Sequence, residues 1–302
     1  MARNRHTIVG LGELLWDLFP AGKKLGGAPA NFAYIASLLG EEGIPASRLG
    51  DDDLGDEARL RLTELGLPTS YVQEDREHPT GTVNVEVDGR GQPQFEIAES
   101  VAWDFLEWTS QWKILAEQAD AVCFGSLAQR SEQSRSTIGC FLRTCRKETV
   151  RVFDVNLRQT FFTAEVLSES MKMATIVKLN HEELPRIMQL SGLHERDEET
   201  AAKRLVAKFG MKLVCVTRGN SGSLLVTPDA RSTHPGFRVK VADTVGAGDA
   251  FTAALVHEYL QGAPLARMNE AANRMGAWVA SEIGATPVLR PGGVEQTLAG
   301  IG

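Results

Sequence analysis

Between residues 121 and 217 short β-rich runs alternate with longer amphipathic ones, a pattern that few folds accommodate. Ala121 to Phe124, Val150 to Val155, Thr175 to Leu179 and Leu213 to Thr217 are apolar and rich in β-branched residues. The segments between them, 131–147, 164–173, 181–190 and 197–209, carry apolar residues at helical spacing. This order predicts βαβ units around a mainly parallel sheet. Ligands of such sheets bind beyond the carboxyl ends of the strands, so polar residues just after a strand draw first scrutiny.

Near the start, Thr7 to Leu11 reads as a strand and Ala28 to Leu39 as a helix, with Pro29 in the first turn where no N–H is needed. A loop holding Asp17 and Gly26-Gly27 is expected between them. Thr82 to Asp88 alternates polar with apolar residues, passes through Gly89, Gly91 and Pro93, and continues as Gln94 to Ala98. That pattern predicts a β-hairpin inserted into the α/β unit, either a lid over a ligand or an extension of the main sheet. A hairpin with an apolar face is also a surface through which a homodimer forms. With 302 residues, 43% hydrophobic and 24% charged, one domain over 1–302 is expected, with a lid drawn from about 12–25 and 80–105.

A net charge of -7 and no cationic run exclude nucleic acid as a partner. No segment approaches about 18 uninterrupted apolar residues, and Met1 to His6 lead into a strand without a signal-peptide core, so a soluble protein away from membranes is expected. Cys123, Cys140, Cys145 and Cys215 form no CxxC pair and sit in apolar or helix-like stretches. Reduced, structural thiols are expected, in keeping with the cytoplasm.

Asp243-Thr244-Val245-Gly246-Ala247-Gly248-Asp249-Ala250-Phe251 precedes the helix-like Thr252 to Leu260. Its glycines permit a tight turn, and the free N–H groups that open a helix make a pocket for phosphate or a developing anion. Asp249 falls in that first turn, where the helix dipole favours an ionised carboxylate available as a base. The other reading is a Gly-rich cap with Asp249 at the helix start. Gly10-Leu11-Gly12 opens like a dinucleotide-binding turn, but Leu15 stands at its third small position and no acid follows about 20 residues on. No GxxxxGK[ST] occurs. Trp103, Trp108 and Trp112 read as packing residues.

The nine residues from Asp243 resemble the C-terminal signature of the ribokinase-like, or phosphofructokinase B, sugar kinases, and Leu25-Gly26-Gly27-Ala28-Pro29-Ala30-Asn31 resembles their N-terminal signature. Gly50 to Gly55, Phe153 to Arg158, Asn180 to Glu183, Thr217-Arg218-Gly219 and Gly284 to Pro287 extend the resemblance over nearly the whole chain. It implies a three-layer α/β sandwich, ATP and Mg²⁺ as cofactors, and phosphorylation of a sugar hydroxyl. Gly246, Ala247 and Gly248 would form the anion hole, and Asp249 would take the hydroxyl proton. Asn180 and Glu183 match an Asn-x-x-Glu element in which the acid holds Mg²⁺ through water; the alternative is an N-capped helix with an exposed Glu.

By the same resemblance Thr217 and Gly219 would touch ATP phosphates, and Asn273 would lie near adenine unless it is a helix-face polar residue. Asp243, the carbonyl of Val245 and the segment at Gly284 resemble a monovalent-cation site of potassium-activated members. Asp17 and Asn31 would bind sugar hydroxyls from either side of Gly26 and Gly27, unless they cap a turn and a helix start. Arg158 is placed to bind substrate or to pair with Asp154. Gly12 to Asp17, Val101 to Asp104 and Gly125 to Ala128 look most like stretches of bacterial fructokinases, which makes fructose the first expected substrate. An acidic keto-sugar such as 2-keto-3-deoxygluconate and a catalytically silent sugar-binding regulator are the alternatives.

Overall fold

The structure, a computed structural model, describes residues 5–20, 22–87, 93–195 and 197–301. Apolar runs of strand length become β1 (Thr7–Leu11), β4 (Glu42–Gly50), β5 (Val72–Asp75), β8 (Ala121–Gly125), β9 (Val150–Asp154), β10 (Ile176–Asn180), β11 (Leu213–Thr217) and β12 (Ser223–Val226), with β13 (Arg231–His234) at the edge. They form one sheet in the order β13-β12-β11-β10-β9-β8-β1-β4-β5. Pairing is parallel from β11 to β5, and β12 and β13 append antiparallel.

Alternation along each strand sends successive side chains to opposite faces. Val9, Val122, Phe124, Phe153, Val177 and Val214 join one core, packed beneath α3 (Ser110–Gln118), α4 (Glu132–Thr144), α5 (Ala164–Met173), α6 (Glu183–Leu190) and α7 (Glu198–Phe209). Ile8, Cys123, Val152, Ile176 and Cys215 join the other, beneath α1 (Ala28–Leu38), α2 (Asp53–Glu64), α8 (Ala247–Leu260) and α9 (Leu265–Ala280), with α10 (Gly293–Leu298) against α9. The result is the three-layer sandwich, with helices on both faces.

A second sheet stands apart from the first. It runs β3-β2-β6-β7, from β2 (Leu15–Phe19), β3 (Gly22–Gly26), β6 (Gly81–Val87) and β7 (Pro93–Ile97). The expected hairpin is therefore present as β6 and β7, and it does not extend the main sheet. The turn at Asp88, Gly89 and Gly91 lies outside the described residues. The expected loop around Asp17 is instead the hairpin β2–β3, whose register sets Leu15 against Gly26 and Asp17 against Lys24. Leu15 and Trp16 of β2 are buried, which anchors this short pair of strands. The Trp16 indole donates to the Leu54 carbonyl and docks this sheet on α2 (2.9 Å). Among the described residues no helix is long and apolar enough to cross a membrane.

Candidate active site

The carboxyl ends of β1, β8, β9, β10 and β11 open on one side of the sheet, and the amino ends of α1 and α8 point into the same space. Gly246 caps α8 with φ 78°, a left-handed conformation that favours glycine. A Cβ there would also lie 2.4 Å from that of Ala285, so the turn packs too tightly for any side chain. Helix α8 thus starts at Ala247, five residues earlier than its apolar pattern indicates.

Asp249, in the first turn of α8, lines a cleft with Glu13, Cys123, Asp154, Asn156 and Thr252. Its Oδ2 accepts from Asn31 Nδ2 at 2.8 Å, a bond across 218 residues of sequence. Burial, reinforced by the Asp154 charge, pushes its carboxyl up to about 6, against the pull of Asn31, Lys178 and Arg158. Desolvation thus works against the helix dipole, which favours the ionised form.

In the small sheet, Asp17 lies on β2 with its Oδ2 only 2.4 Å from the point where a Cβ on Gly26 would stand. Only glycine leaves that carboxylate its place. Burial raises Asp17 to about 6, opposed by Arg158 and Lys24. Gly27 caps α1 at φ 110°. Arg158 is exposed just past β9, and its positive charge acts on Asp17, Asp249 and Glu13 together. The alternative pairing of Arg158 with Asp154 is not formed, because Lys178 holds Asp154 instead.

Asn180 and Thr217 end neighbouring strands in register. The Asn180 Oδ1 caps α6, accepting from the N–H groups of Glu182 (2.9 Å) and Glu183 (2.8 Å). Glu183 is buried rather than exposed, and its two oxygens accept from the N–H groups of Leu157 and Asn180, both at 2.8 Å. Burial raises its carboxyl above the usual range despite those donors and Lys178. Each oxygen keeps a lone pair, so the group can still accept from a water of a hydrated cation. Gly219 turns at φ 58° beside open space. Asn273 is buried in α9, where its Nδ2 donates to Ser223 Oγ and to the Asn269 carbonyl, both at 2.7 Å, so its amide N–H groups serve the interior.

The segment expected to hold a monovalent cation is ordered around the Asp243 carboxylate. Asp243 Oδ1 accepts from the Val245 N–H (3.1 Å), and Oδ2 from the Gly284 N–H (3.1 Å) and the Lys24 ammonium (3.2 Å). These donors, set against partial burial, hold Asp243 below the usual carboxylate range. The lysine already supplies a positive charge to the carboxylate. Val245 and Gly284 meet the carboxylate through their N–H groups. Among the described residues no cluster of three His, Cys, Asp or Glu is arranged to hold a metal.

Sequence reasoning passed over Lys178, Glu13 and Thr252, and took Asp154 only as a partner for Arg158. A lysine inside Ile-Val-Lys-Leu-Asn of a central strand was the available signal, since a buried cation requires a carboxylate. Glu13 is buried, and its Oε2 has no hydrogen-bond partner.

An open, mostly parallel α/β sheet with a buried carboxylate at a Gly-rich helix start is the framework of a small-molecule kinase. The pfkB family carbohydrate kinase model matches residues 17–290, and the chain belongs to that family. It is 30% identical to an uncharacterized sugar kinase of Pyrococcus horikoshii over 92% of this chain and 91% of that one. To the fructokinase of Klebsiella pneumoniae it is 33% identical over 82% of each. The crystal structure of the Pyrococcus horikoshii protein superposes with a TM-score of 0.81 at 29% identity, covering 93% of both chains. That of a Vibrio cholerae fructokinase with fructose, ADP and calcium bound gives 0.77 at 26% identity, covering 93% of this chain and 94% of that one.

Proposed function

We propose that this sugar kinase moves the γ-phosphoryl group of ATP to a hydroxyl of fructose, with Asp249 as the base. The observation that carries this reading is the buried Asp249 carboxylate, aimed by Asn31 beside the Gly246–Gly248 turn. With Oδ2 held by Asn31, Oδ1 is left to take the hydroxyl proton as the sugar oxygen attacks phosphorus. The N–H groups at the start of α8 stabilise charge on the transferring phosphoryl group. Phosphoryl transfer asks for little else from a protein than alignment and neutralisation. Mg²⁺ would shield the phosphates, with Glu183 meeting its hydration shell. Asn180, Thr217 and Gly219 lie where a nucleotide would reach the ends of β10 and β11. The small sheet carries Asp17 and acts as the lid that keeps water from the phosphoryl group.

Fructose is favoured because the Asp17 carboxylate, which shares the influence of Arg158 with Asp249, would repel a substrate carboxylate and spares a neutral polyol. The named activities of the fructokinase relatives support the same choice. The test compares kcat/KM for fructose, ribose, adenosine and 2-keto-3-deoxygluconate at fixed ATP–Mg²⁺. Fructose is expected to lead by at least tenfold. Victory of the acidic sugar by that margin replaces the substrate but keeps the chemistry. Absence of turnover with every sugar overturns the chemistry. Asp249→Asn should still bind sugar and nucleotide while kcat falls about 100-fold or more, because an amide accepts no proton.

A further inference from the structure

Lys178 is 8% exposed in the middle of β10, flanked by Val177 and Leu179. Its ammonium sits 3.0 and 3.1 Å from the two Asp154 oxygens at the end of β9. It also lies 3.1 Å from the point where a Cβ on Gly248 would stand, directly against the Gly-rich turn. Thr252 Oγ1, one helical turn beyond Gly248, is within reach of both Asp154 Oδ2 (3.3 Å) and the Gly248 carbonyl (2.9 Å). Two strands and the first turn of α8 therefore converge on one buried ion pair.

Such a pair is weak evidence for stability, because well-packed apolar residues of similar volume usually stabilise as well or better. Its position against the reactive turn points to another role. Resting on the kinase reading above, we propose that Lys178 is a positioning residue for phosphoryl transfer: anchored by Asp154, its ammonium supports the Gly248 end of the anion hole and brackets Asp249 between opposite charges. Asp249 is faced by Asp154 from β9, Lys178 from β10, Arg158 from the segment after β9, Glu13 from the segment after β1, Asn31 from α1 and the neutral Cys123 thiol from β8. Of these, Asp154 pushes its titration upward and Lys178 pulls it downward. The Lys178 charge also acts on Glu183, so a single side chain couples the base to the expected metal side.

Three variants test this: Lys178→Met, Asp154→Asn and the double Lys178→Met/Asp154→Leu. The double variant removes both charges, so its melting temperature should stay within about 5 °C of wild type. Its kcat should nonetheless fall about 100-fold with the sugar KM changed less than about threefold, the signature of an interaction used in the transition state. The acid limb of kcat/KM against pH should move to higher pH in Lys178→Met and to lower pH in Asp154→Asn. Purely structural residues would not shift it in opposite directions. A double variant within about threefold of wild-type kcat, or limbs that stay put or move together, overturns the proposal. If the wild type phosphorylates no sugar, the kinase reading fails separately. A ¹³C NMR titration of the Asp249 carboxyl then measures the opposed shifts without turnover, and equal midpoints in the two single variants sink the proposal. Should Lys178→Met not fold, Asp154→Asn and the double variant carry both readouts.

Discussion

Burial of an incompletely paired polar group is the most informative property of single residues here. Glu13 shows it most clearly: burial pushes its carboxyl up to about 7, with the Asp249 charge adding to the effect. A folded-state value above the ordinary 4.5 means that the native state holds its proton more tightly. Stability from this group is thus present at low pH and is lost as pH rises from about 4.5 through about 7. Glu13→Gln has no charge to desolvate. It should gain stability on wild type between pH 5 and pH 8, by on the order of 2 to 3 kcal/mol in denaturant melts. A stability difference that is flat with pH contradicts this. Glu13 was illegible in the sequence for the same physical reason, since an acid after a strand reads as solvated until the neighbours that close over it are known. Asp249 was legible because its significance is local, written in the glycines of its own turn.

At the scale of elements, what could be read depended on whether an element explains its own residues. The parallel strands and amphipathic helices from β8 to β11 follow from period and length, and their ends fell within a few residues of expectation. The hairpin β2–β3 was missed because its strands are stabilised by β6, about 60 residues away in sequence, and by α2 beneath Trp16. That hairpin also brings Lys24 to Asp243, linking the small sheet to the turn that opens α8. The Lys24 ammonium competes with a monovalent cation for this carboxylate. Replacing potassium with tetramethylammonium at constant ionic strength should change wild-type kcat less than about twofold, whereas Lys24→Met should acquire a preference for potassium. Strong potassium activation of the wild type would show that the lysine yields its place.

For the whole molecule, the two cores on opposite faces of the sheet account for the cysteines. Cys123, Cys145 and Cys215 are buried, while Cys140 on α4 is partly exposed. Burial pushes the Cys145 thiol up to about 11 and those of Cys123 and Cys215 well above their usual range. A thiol reagent should therefore titrate about one cysteine in the native protein and all four once denaturant opens both cores. More than one fast thiol without denaturant would mean that a face opens locally. The layered sandwich was the most legible feature of all, because it is the sum of many local periods. The cleft around Asp249 was less so, since it exists only where distant segments meet. The bond from Asn31 to Asp249 spans 218 residues, and at a synthesis rate of about 5 to 20 residues per second its acceptor leaves the ribosome roughly 10 to 40 seconds after its donor. On the role proposed for Asp249, each nascent chain passes most of its synthesis without its base, and a chain ended anywhere before α8 should spend no nucleotide.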